Sequence, residues 1–510
     1  MSETVSKPTD ATEVVDLDVL IVGAGLSGVG AAYRLQTMSP TKTYAILEGR
    51  PALGGTWDLF RYPGIRSDSD MYTLGYPFRP WTNPKSIADG ASIREYIGDT
   101  ARDNGIDKHI RFEHQVLAAS WSSDTGRWTV DTVVGDALAT VRYTCNFLYM
   151  CAGYYRYDAG YQPEFPGREA FTGQVIHPQA WPEDLDYADK RVVIIGSGAT
   201  AVTLVPAMAE TAAHVTMLQR SPTYITSLPG SDPVATLLRG ILPEQMAHRI
   251  ARWKNVIMTT AFFQLCRRRP EVAKRFLSQT VAKQLPVGYD LDPNFSPTYD
   301  PWDQRLCLVP DGDLFKVISS GTADIVTDHI ERFTETGIDL VSGRHLDADI
   351  IVSATGLRLQ ACGGVRLEVD GTHIEMADTF VYKGFMLSGV PNLAMCVGYT
   401  NASWTLRADI SSQEVCRIVN HLDEHGYSSA TPVVLEDIEA EPLLDFTSGY
   451  ITRGADVMPR QGSKAPWKLR QNFVLDLLSS KFGDVTESLH FEKAPSPSPT
   501  AARAAAQDID

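Results

Sequence analysis

Residues 17–28 read LDVLIVGAGLSG, and this stretch decides the fold of the first part of the chain. The apolar run before the first glycine is typical of a buried parallel strand. Gly23 permits a tight turn, Gly25 lets the backbone approach a pyrophosphate, and Gly28 lets the following helix pack closely on the strand. The first amides of that helix are then available to a phosphate. The stretch therefore predicts a Rossmann-like dinucleotide-binding fold.

A second strand supports the same prediction. Residues 43–48 read TYAILE, so that Glu48 stands at a strand end about 20 residues after the glycines. A carboxylate at this place accepts hydrogen bonds from both hydroxyls of a ribose. An adenine ribose with two free hydroxyls belongs to FAD or NAD and not to NADP.

The same pattern recurs in residues 190–201, KRVVIIGSGATA, with Ala201 in the third glycine place. The strand that follows, residues 214–219, ends in Arg220 and Ser221 and not in an acid. A carboxylate there would repel a 2′-phosphate, whereas a guanidinium pairs with it through two hydrogen bonds. The second fold is therefore predicted to bind NADPH, with a solvated surface arginine as the alternative for Arg220.

Composition narrows the class of protein. The chain has 510 residues and a net charge of −16, which argues against nucleic acid and anionic membranes as partners. Its start lacks the features of a signal peptide, and no run is long enough to span a bilayer, so we expect a cytoplasmic protein. Seven cysteines without a Cys-x-x-Cys pair predict neither a disulfide framework nor a metal site.

These patterns predict an α/β protein with two Rossmann-like domains. We expect a flexible start at residues 1–16, a first domain from residues 17–155 and 386–493, a second from residues 156–385, and a disordered tail at residues 494–510. A helical insertion is expected at about residues 229–290, where the basic run Arg267–Arg269 is interpreted as a solvated helix face, with contact to a membrane or a partner as the alternative. Residues 92–95, SIRE, predict a capping box that opens a helix.

Two further segments carry large side chains among turn-forming residues. Residues 54–68 read GGTWDLFRYPGIRSD, and residues 171–182 read FTGQVIHPQAWP. The second resembles the FxGxxxHxxxWP fingerprint of type I Baeyer-Villiger monooxygenases at each marked position, and the first is similar to the segment that lies along FAD in that family. Related flavin N- and S-monooxygenases usually have Tyr or Phe where this chain has Trp181.

The resemblance covers about residues 17–490. Within the family, residues 57–70, 301–307 and 398–404 look like the ethionamide-activating monooxygenase branch. One position departs from the common pattern, since Gln304 stands where many ketone-specialised members have Lys. This departure leaves the handling of NADPH at that point open.

The resemblance implies FAD and NADPH as cofactors and dioxygen as co-substrate. It implies insertion of one oxygen into ketones to give esters or lactones, and oxidation of sulfides or thioamides, through a peroxide formed on the reduced flavin. Arg305 would supply a positive charge beside that peroxide, and Asp68 would hold Arg305 in place. His177 is interpreted as a support of the linker between the domains and not as a proton donor.

The predicted cofactor contacts lie in both glycine loops and in the segments beside them. For FAD they are Gly23, Gly25, Ser27, Gly28, Glu48, Gly55, Thr56, Trp57, Asp58, Leu59, Arg66, Ser67, Asp68 and Val116. For NADPH they are Gly196, Ser197, Gly198, Ala199, Thr200, Ala201, Val202, Arg220 and Ser221.

Two alternatives share these motifs. A flavin N- or S-monooxygenase without Baeyer-Villiger activity would keep both glycine loops. A redox sensor without turnover would keep the loops as well, but it would have no use for the pair of Arg305 and Asp68. The natural substrate and the oligomeric state are open at this level.

Overall fold

The structure is a computed structural model that describes residues 14–136, 138–304, 306–444 and 448–493, with only the backbone of Tyr450. The predicted flexible start, apart from the last three of its residues, and the predicted disordered tail lie outside the described residues. Arg305 lies outside them too. Within the described ranges, no helix is both long and apolar enough to cross a membrane.

The described part of the chain alternates between strands and helices. In chain order, the strands are β1 (Val14–Val22), β2 (Tyr44–Leu47), β3 (Ile110–Arg111), β4 (His114–Ser122), β5 (Arg127–Val134), β6 (Ala139–Met150), β7 (Gln174–Ile176), β8 (Arg191–Ile195), β9 (His214–Gln219), β10 (Ile225–Leu228), β11 (Cys307–Pro310), β12 (Ala323–Thr327), β13 (Ile330–Thr334), β14 (Gly337–Leu340), β15 (His345–Asp347), β16 (Ile350–Ser353), β17 (Arg366–Val369), β18 (Thr372–His373), β19 (Val381–Tyr382), β20 (Met386–Leu387), β21 (Leu393–Met395), β22 (Tyr427–Pro432), β23 (Ala440–Pro442), β24 (Arg460–Gly462) and β25 (Leu489–Lys493). The α-helices are α1 (Leu26–Met38), α2 (Thr56–Leu59), α3 (Met71–Leu74), α4 (Gly90–Asp103), α5 (Ala199–Met208), α6 (Pro233–Ile241), α7 (Glu244–Arg268), α8 (Pro270–Ala282), α9 (Asp313–Ser320), α10 (Trp404–His425), α11 (Gly449–Arg453) and α12 (Phe473–Phe482).

The first sheet has a parallel part in the order β3-β2-β1-β6-β21. Its central strand is fully buried at Val19, Leu20 and Ile21, which is why the sequence there is a continuous apolar run. Strands β4 and β5 form an antiparallel hairpin, which extends the sheet from β6. Helices α1 and α10 pack together on one face of the sheet.

The second sheet is wholly parallel, in the order β12-β9-β8-β16-β7. Helix α5 follows β8 through the second glycine loop and packs on the core of this sheet with α9. Both sheets therefore present a strand, a glycine loop and a helix in succession. An α/β fold with two Rossmann-like units, as predicted, is the observed architecture.

The helical insertion consists of α6, α7 and α8. The buried side chain of Arg252 on α7 donates hydrogen bonds to the backbone carbonyls of Tyr72, Thr73 and Gly75. These carbonyls belong to α3 and the residue after it, in the first domain. The insertion therefore belongs to the second domain in sequence but packs on the first domain.

Three local predictions need correction. The helix predicted to open at Ser92 begins at Gly90, because Asp89 accepts the backbone amide of Ser92 at 2.8 Å and is the true cap. The flexible start expected at residues 1–16 is wrong for its last three residues, because β1 begins at Val14. The chain meets the first sheet again at β17, which pairs with β4, and not first at residue 386. Strand β17 lies between β4 and β18 but is buried at only one residue in four, so it lacks the apolar run that the prediction relied on.

Candidate active site

The first glycine loop is shaped by close contacts of its backbone. Gly23 has a φ of +105°, and a Cβ there would lie 2.6 Å from the carbonyl oxygen of Cys151. A Cβ on Gly28 would lie 1.9 Å from the carbonyl oxygen of Gly23. Gly25 is different, because its Cβ would meet only Gly55, at 3.5 Å. Gly25 and Gly55 thus leave a place where a pyrophosphate can reach the backbone, and α1 starts there without a side-chain cap.

Glu48 ties this loop to the end of β2. Its buried carboxylate accepts the backbone amide of Ala24 at 2.7 Å and that of Arg50 at 3.0 Å. Burial raises the pKa of Glu48, although both hydrogen bonds act in the opposite direction. A carboxylate has about four lone-pair sites, so two remain for ribose hydroxyls.

Asp58 is the centre of an ionic cluster under the segment of residues 54–68. Its carboxylate is 2% exposed and pairs with Arg50 at 2.7 Å, Arg61 at 2.6 Å and Arg94 at 3.1 Å. Burial would raise its pKa, but the hydrogen bonds from Arg50 and Arg94 outweigh that effect, so the pKa is lowered. Thr56 shares a hydrogen bond of 2.6 Å with the hydroxyl of Tyr155. These contacts fix the segment beside the first glycine loop.

The same segment then reaches the second domain. Burial raises the pKa of the Tyr62 hydroxyl to about 12, while a hydrogen bond with Thr200 in the second glycine loop lowers it. A Cβ on Gly64, which has a φ of +74°, would lie 2.6 Å from Cβ of Ala207 on α5. Arg66 pairs with Asp313 at the start of α9. Residues 54–68 therefore join the two nucleotide sites.

The remaining predicted contacts to FAD lie around this segment. Trp57 packs against the core of the first sheet, Leu59 packs against the core of the second sheet, and Ser67 is buried. Ser27 accepts a hydrogen bond of 3.0 Å from the indole of Trp404, and Val116 is buried on β4. Asp68 ends the segment and contributes to the electrostatic surroundings of Tyr62.

The second glycine loop is more open than the first. A Cβ on Gly196 would lie 2.4 Å from the carbonyl oxygen of Ala354, whereas a Cβ on Gly198 would meet nothing within 4 Å. Helix α5 begins after Gly198 without a side-chain cap, and its first turn holds Ala199, Thr200, Ala201 and Val202. Ser197 donates a hydrogen bond of 3.0 Å to the carbonyl of Ser221. The loop thus presents uncapped amides next to the residues that follow β9.

Arg220 stands on that edge with its side chain exposed. A second guanidinium accompanies it. Arg453, on α11, lies over the ring of Tyr161 with its Cζ 3.6 Å from the ring centroid. Burial lowers the pKa of Arg453, and the positive charge of Arg220 lowers it further. Two like charges held near each other favour an anion with more than one negative charge.

The segment of residues 171–182 forms a corner of the second sheet. Three of its residues form the edge strand β7, and Phe171 packs edge-on against Phe333. A Cβ on Gly173 would lie 2.3 Å from the carbonyl oxygen of Asp349, which explains the glycine. Burial lowers the pKa of His177, whose Nε2 lies 3.3 Å from the carbonyl oxygen of Gly356. Burial thus disfavours protonation of His177, and its role as a support of the linker between the domains stays a prediction.

Arg305 lies outside the described residues, but the residues on both sides of it do not. Cys307 donates a weak hydrogen bond through its Sγ to the carbonyl of Ser197, at 3.9 Å. Gln304 forms an isolated parallel bridge with Pro301. Cys307 therefore lies beside the second glycine loop.

The structure thus brings together most of the predicted contacts around one segment. Sequence reasoning missed Tyr62, Arg453 and the ionic partners of Asp58. The motif RYPG held a signal for Tyr62, because a large aromatic residue in a turn-rich segment needs a packing partner. Arg453 had no signal, since it is far from Arg220 in sequence. In the described part of the chain, no group of three or more His, Cys, Asp or Glu side chains is placed to hold a metal ion.

Two nucleotide-binding folds that meet at one shared segment define an oxidoreductase of the two-nucleotide class. The sequence model of the flavin-binding monooxygenase-like family matches residues 72–362, and that of the NAD(P)-binding Rossmann-like domain matches residues 21–85. The chain belongs to the flavin-binding monooxygenase-like family and is a flavin monooxygenase.

Similar proteins extend over almost the whole chain. The FAD-containing monooxygenase EthA of Mycobacterium tuberculosis is 55% identical over 487 residues, which are 94% of this chain and 99% of that protein. The probable FAD-binding monooxygenase AlmA of Acinetobacter baylyi is 48% identical over 94% of this chain and 96% of that protein.

Solved structures share the fold. A steroid monooxygenase bound to NADP aligns with a TM-score of 0.70 at 21% identity, over 94% of this chain and all of that one. A complex of OTEMO with FAD and NADP aligns with a TM-score of 0.72 at 19% identity, over 93% and 99% of the two chains.

Proposed function

We propose that this flavin monooxygenase inserts one oxygen atom of dioxygen into ketones and oxidises sulfides or thioamides. FAD and NADPH are its cofactors. The observation that carries the proposal is the segment of residues 54–68, which extends from the first glycine loop to α5 and contacts both nucleotide sites. An enzyme that passes electrons from one nucleotide to the other requires such a shared wall.

The first site fits FAD. Gly25 and Gly55 leave the backbone open to a pyrophosphate, and α1 offers its uncapped amides. Glu48 keeps lone pairs for the ribose hydroxyls beyond the two amides that it already holds. When bound, FAD supplies the acceptor for hydride and the place where dioxygen is activated. The ionic cluster of Asp58 keeps the wall of the site in position.

The second site fits NADPH. The uncapped amides of α5 bind the pyrophosphate, with Gly198 as the open position of the loop. Arg220 and Arg453 together bind the 2′-phosphate, which carries up to two negative charges. Arg453 would supply a positive charge that Gln304, as an uncharged residue, does not supply.

Arg305 and Asp68 are proposed to act on the oxygen atoms. Arg305 stabilises the negative charge that develops on the carbonyl oxygen of a ketone, and Asp68 orients its guanidinium. Two contacts support this placement. Cys307 touches Ser197 in the second glycine loop, and Asp68 ends the segment that joins the two sites. His177 is proposed to support the linker between the domains, and burial lowers its pKa, which disfavours the protonated side chain.

The printed names of the relatives describe FAD-containing monooxygenases, and the proposal assigns the same chemistry to this chain. We further place the reaction in the cytoplasm, where NADPH is available. The seven cysteines are free and buried, which suits a reducing compartment.

The test uses one linear ketone and one thioether, each incubated with the FAD-loaded enzyme, NADPH and air. Formation of ester and sulfoxide, each coupled to NADPH consumption, supports the proposal. Formation of sulfoxide from the thioether without ester from the ketone would identify a flavin S-monooxygenase. Reduction and reoxidation of the flavin without either product would identify a sensor.

A further inference from the structure

Helices α6 and α7 carry an exposed apolar surface, which we call the insertion face. On α7, the residues Met246, Ile250, Trp253 and Ile257 recur at intervals of four, three and four residues, so they form one stripe. Each is at least 40% exposed, and Ile257 is 60% exposed. Helix α6 adds Val234, Leu237 and Ile241 at intervals of three and four residues, of which the last two are 66% and 68% exposed.

The opposite side of α7 is firmly packed, so its exposed stripe is not a consequence of a loose helix. Ala251 and Arg252 are buried, and Asn255 donates a hydrogen bond of 2.7 Å to Asp70. The ring of Trp253 packs at 5.7 Å from that of Phe473, at the start of α12. Helix α12 adds an exposed stripe of its own, formed by Leu475, Leu478 and Phe482. Through the contact of Trp253 with Phe473, the exposed apolar residues of α7 continue onto α12. Clustered exposed apolar side chains mark an interaction site.

The charge of the insertion differs from that of the whole chain. Residues 229–285 hold ten Lys or Arg and three Asp or Glu, a net charge of +7, whereas the whole chain has −16. Arg249 and Arg268 are exposed and fall on the same side of α7 as the apolar stripe, by the period of 3.6 residues. Basic side chains that border an apolar helix face with a Trp are typical of helices that lie in a membrane interface.

We propose that the insertion face docks on the surface of an anionic lipid bilayer. Apolar side chains enter the boundary of the acyl chains, Arg249 and Arg268 meet lipid phosphates, and the acidic remainder of the protein is repelled from the same surface. The protein is thus held with α7 against the lipid. Because the inner side of α7 holds Asp70, two residues after Asp68, an apolar substrate leaving the bilayer arrives close to the active site.

A second copy of the chain fits the face less well. A symmetric pair would bring the arginines of both copies together, which costs free energy. A head-to-tail pair would need a matching apolar surface elsewhere. Outside the helical insertion and α12, large exposed hydrophobic residues such as Leu117, Val341 and Leu435 lie in separate segments of the described chain.

The test is cosedimentation of the full-length, FAD-loaded protein with two kinds of lipid vesicle. One kind is pure phosphatidylcholine, and the other contains about one-quarter phosphatidylglycerol. The protein should bind the anionic vesicles and should be released at about 0.5 M salt. The double variant Arg249→Gln and Arg268→Gln should lower the partition coefficient about tenfold or more, since each basic residue near such a surface contributes roughly fivefold.

The double variant Leu237→Gln and Ile257→Gln should lower partition at least tenfold, while the matched control Val341→Gln and Leu435→Gln should leave it unchanged. All variants change exposed side chains and should oxidise a small water-soluble thioether at the parent rate. Failure of the parent protein to bind anionic vesicles would overturn the proposal, and so would undiminished binding of the Leu237 and Ile257 variant. An oligomer that dissociates in that variant, without vesicle binding by the parent protein, would assign the face to a second copy.

Discussion

Replacement of Arg220 and Arg453 by alanine tests how the second site distinguishes NADPH from NADH. Arg220 follows β9, and its charge lowers the pKa of Arg453, whose guanidinium lies over the ring of Tyr161. Only NADPH carries a 2′-phosphate. The two residues should therefore contribute to the binding of NADPH and hardly to that of NADH.

The magnitude follows from exposure. A charge-assisted hydrogen bond contributes about 1.5 to 3 kcal/mol, and an exposed arginine belongs at the lower end of that range. Arg220→Ala should therefore weaken NADPH about tenfold. Arg453 is held by the ring of Tyr161, and Arg453→Ala should have a similar effect. The double variant should lose roughly a hundredfold in affinity for NADPH, or less if the two contacts depend on each other.

The assay is anaerobic reduction of the bound flavin. The loss of flavin absorbance monitors the reduction over a range of NADPH and NADH concentrations. The apparent dissociation constant for NADPH should rise as stated, while that for NADH stays within about twofold. Arg366→Ala is the control, because Arg366 is an exposed arginine on β17, which pairs with β4 in the first sheet. Equal weakening of both cofactors would refute the phosphate contact. An unchanged NADPH constant in Arg453→Ala would remove that residue from the site.

Four other outcomes are expected. Gly25→Val should give folded protein without flavin, because its side chain would occupy the position of the pyrophosphate; circular dichroism and flavin absorbance measure the two properties. Gly28→Val should fail to fold, since a Cβ there would lie 1.9 Å from a carbonyl oxygen. Asp58→Asn should lose about 2 to 3 kcal/mol of unfolding free energy in urea; its lowered pKa means that the contribution is complete above pH 4 and is lost as the pH falls through the folded pKa. Burial lowers the pKa of His248 from 6.5 to about 4. The free energy of unfolding should therefore fall by roughly 3 kcal/mol as the pH is lowered from 6.5 to 4, and His248→Phe should flatten this part of the pH profile. Arg305→Ala should keep FAD and its reduction by NADPH but lower ester formation about a hundredfold to a thousandfold; ester at the parent rate would exclude Arg305 from the mechanism.

Much of the fold could be predicted because both nucleotide sites rest on local patterns. The run before Gly23 and the run before Gly196 each combine an apolar strand, a glycine turn and a helix start within a few residues. Such patterns specify their own backbone, and the two parallel sheets follow from them. The helix cap at Asp89 was misplaced because Ser92 and Glu95 offer the same spacing one turn later.

The contacts between distant segments could not be predicted in the same way. Arg453 on α11 contacts the ring of Tyr161, although the two residues are far apart in the sequence. The three arginines around Asp58 are attached to different elements, and their shared partner is set by packing. The exposed face of α7 was hidden by the overall negative charge, since composition averages over a basic segment. Local spacing indicates what a segment forms, but not what it meets.

The measurement that tests the proposed reaction most directly is the fate of dioxygen during turnover of a linear ketone. The FAD-loaded enzyme is supplied with NADPH and ¹⁸O-labelled dioxygen, and the ¹⁸O content of the products is determined by mass spectrometry. The proposed function predicts one labelled oxygen in each ester molecule and one NADPH consumed for each ester formed. Consumption of NADPH with hydrogen peroxide as the sole product, or ester without the label, would contradict it.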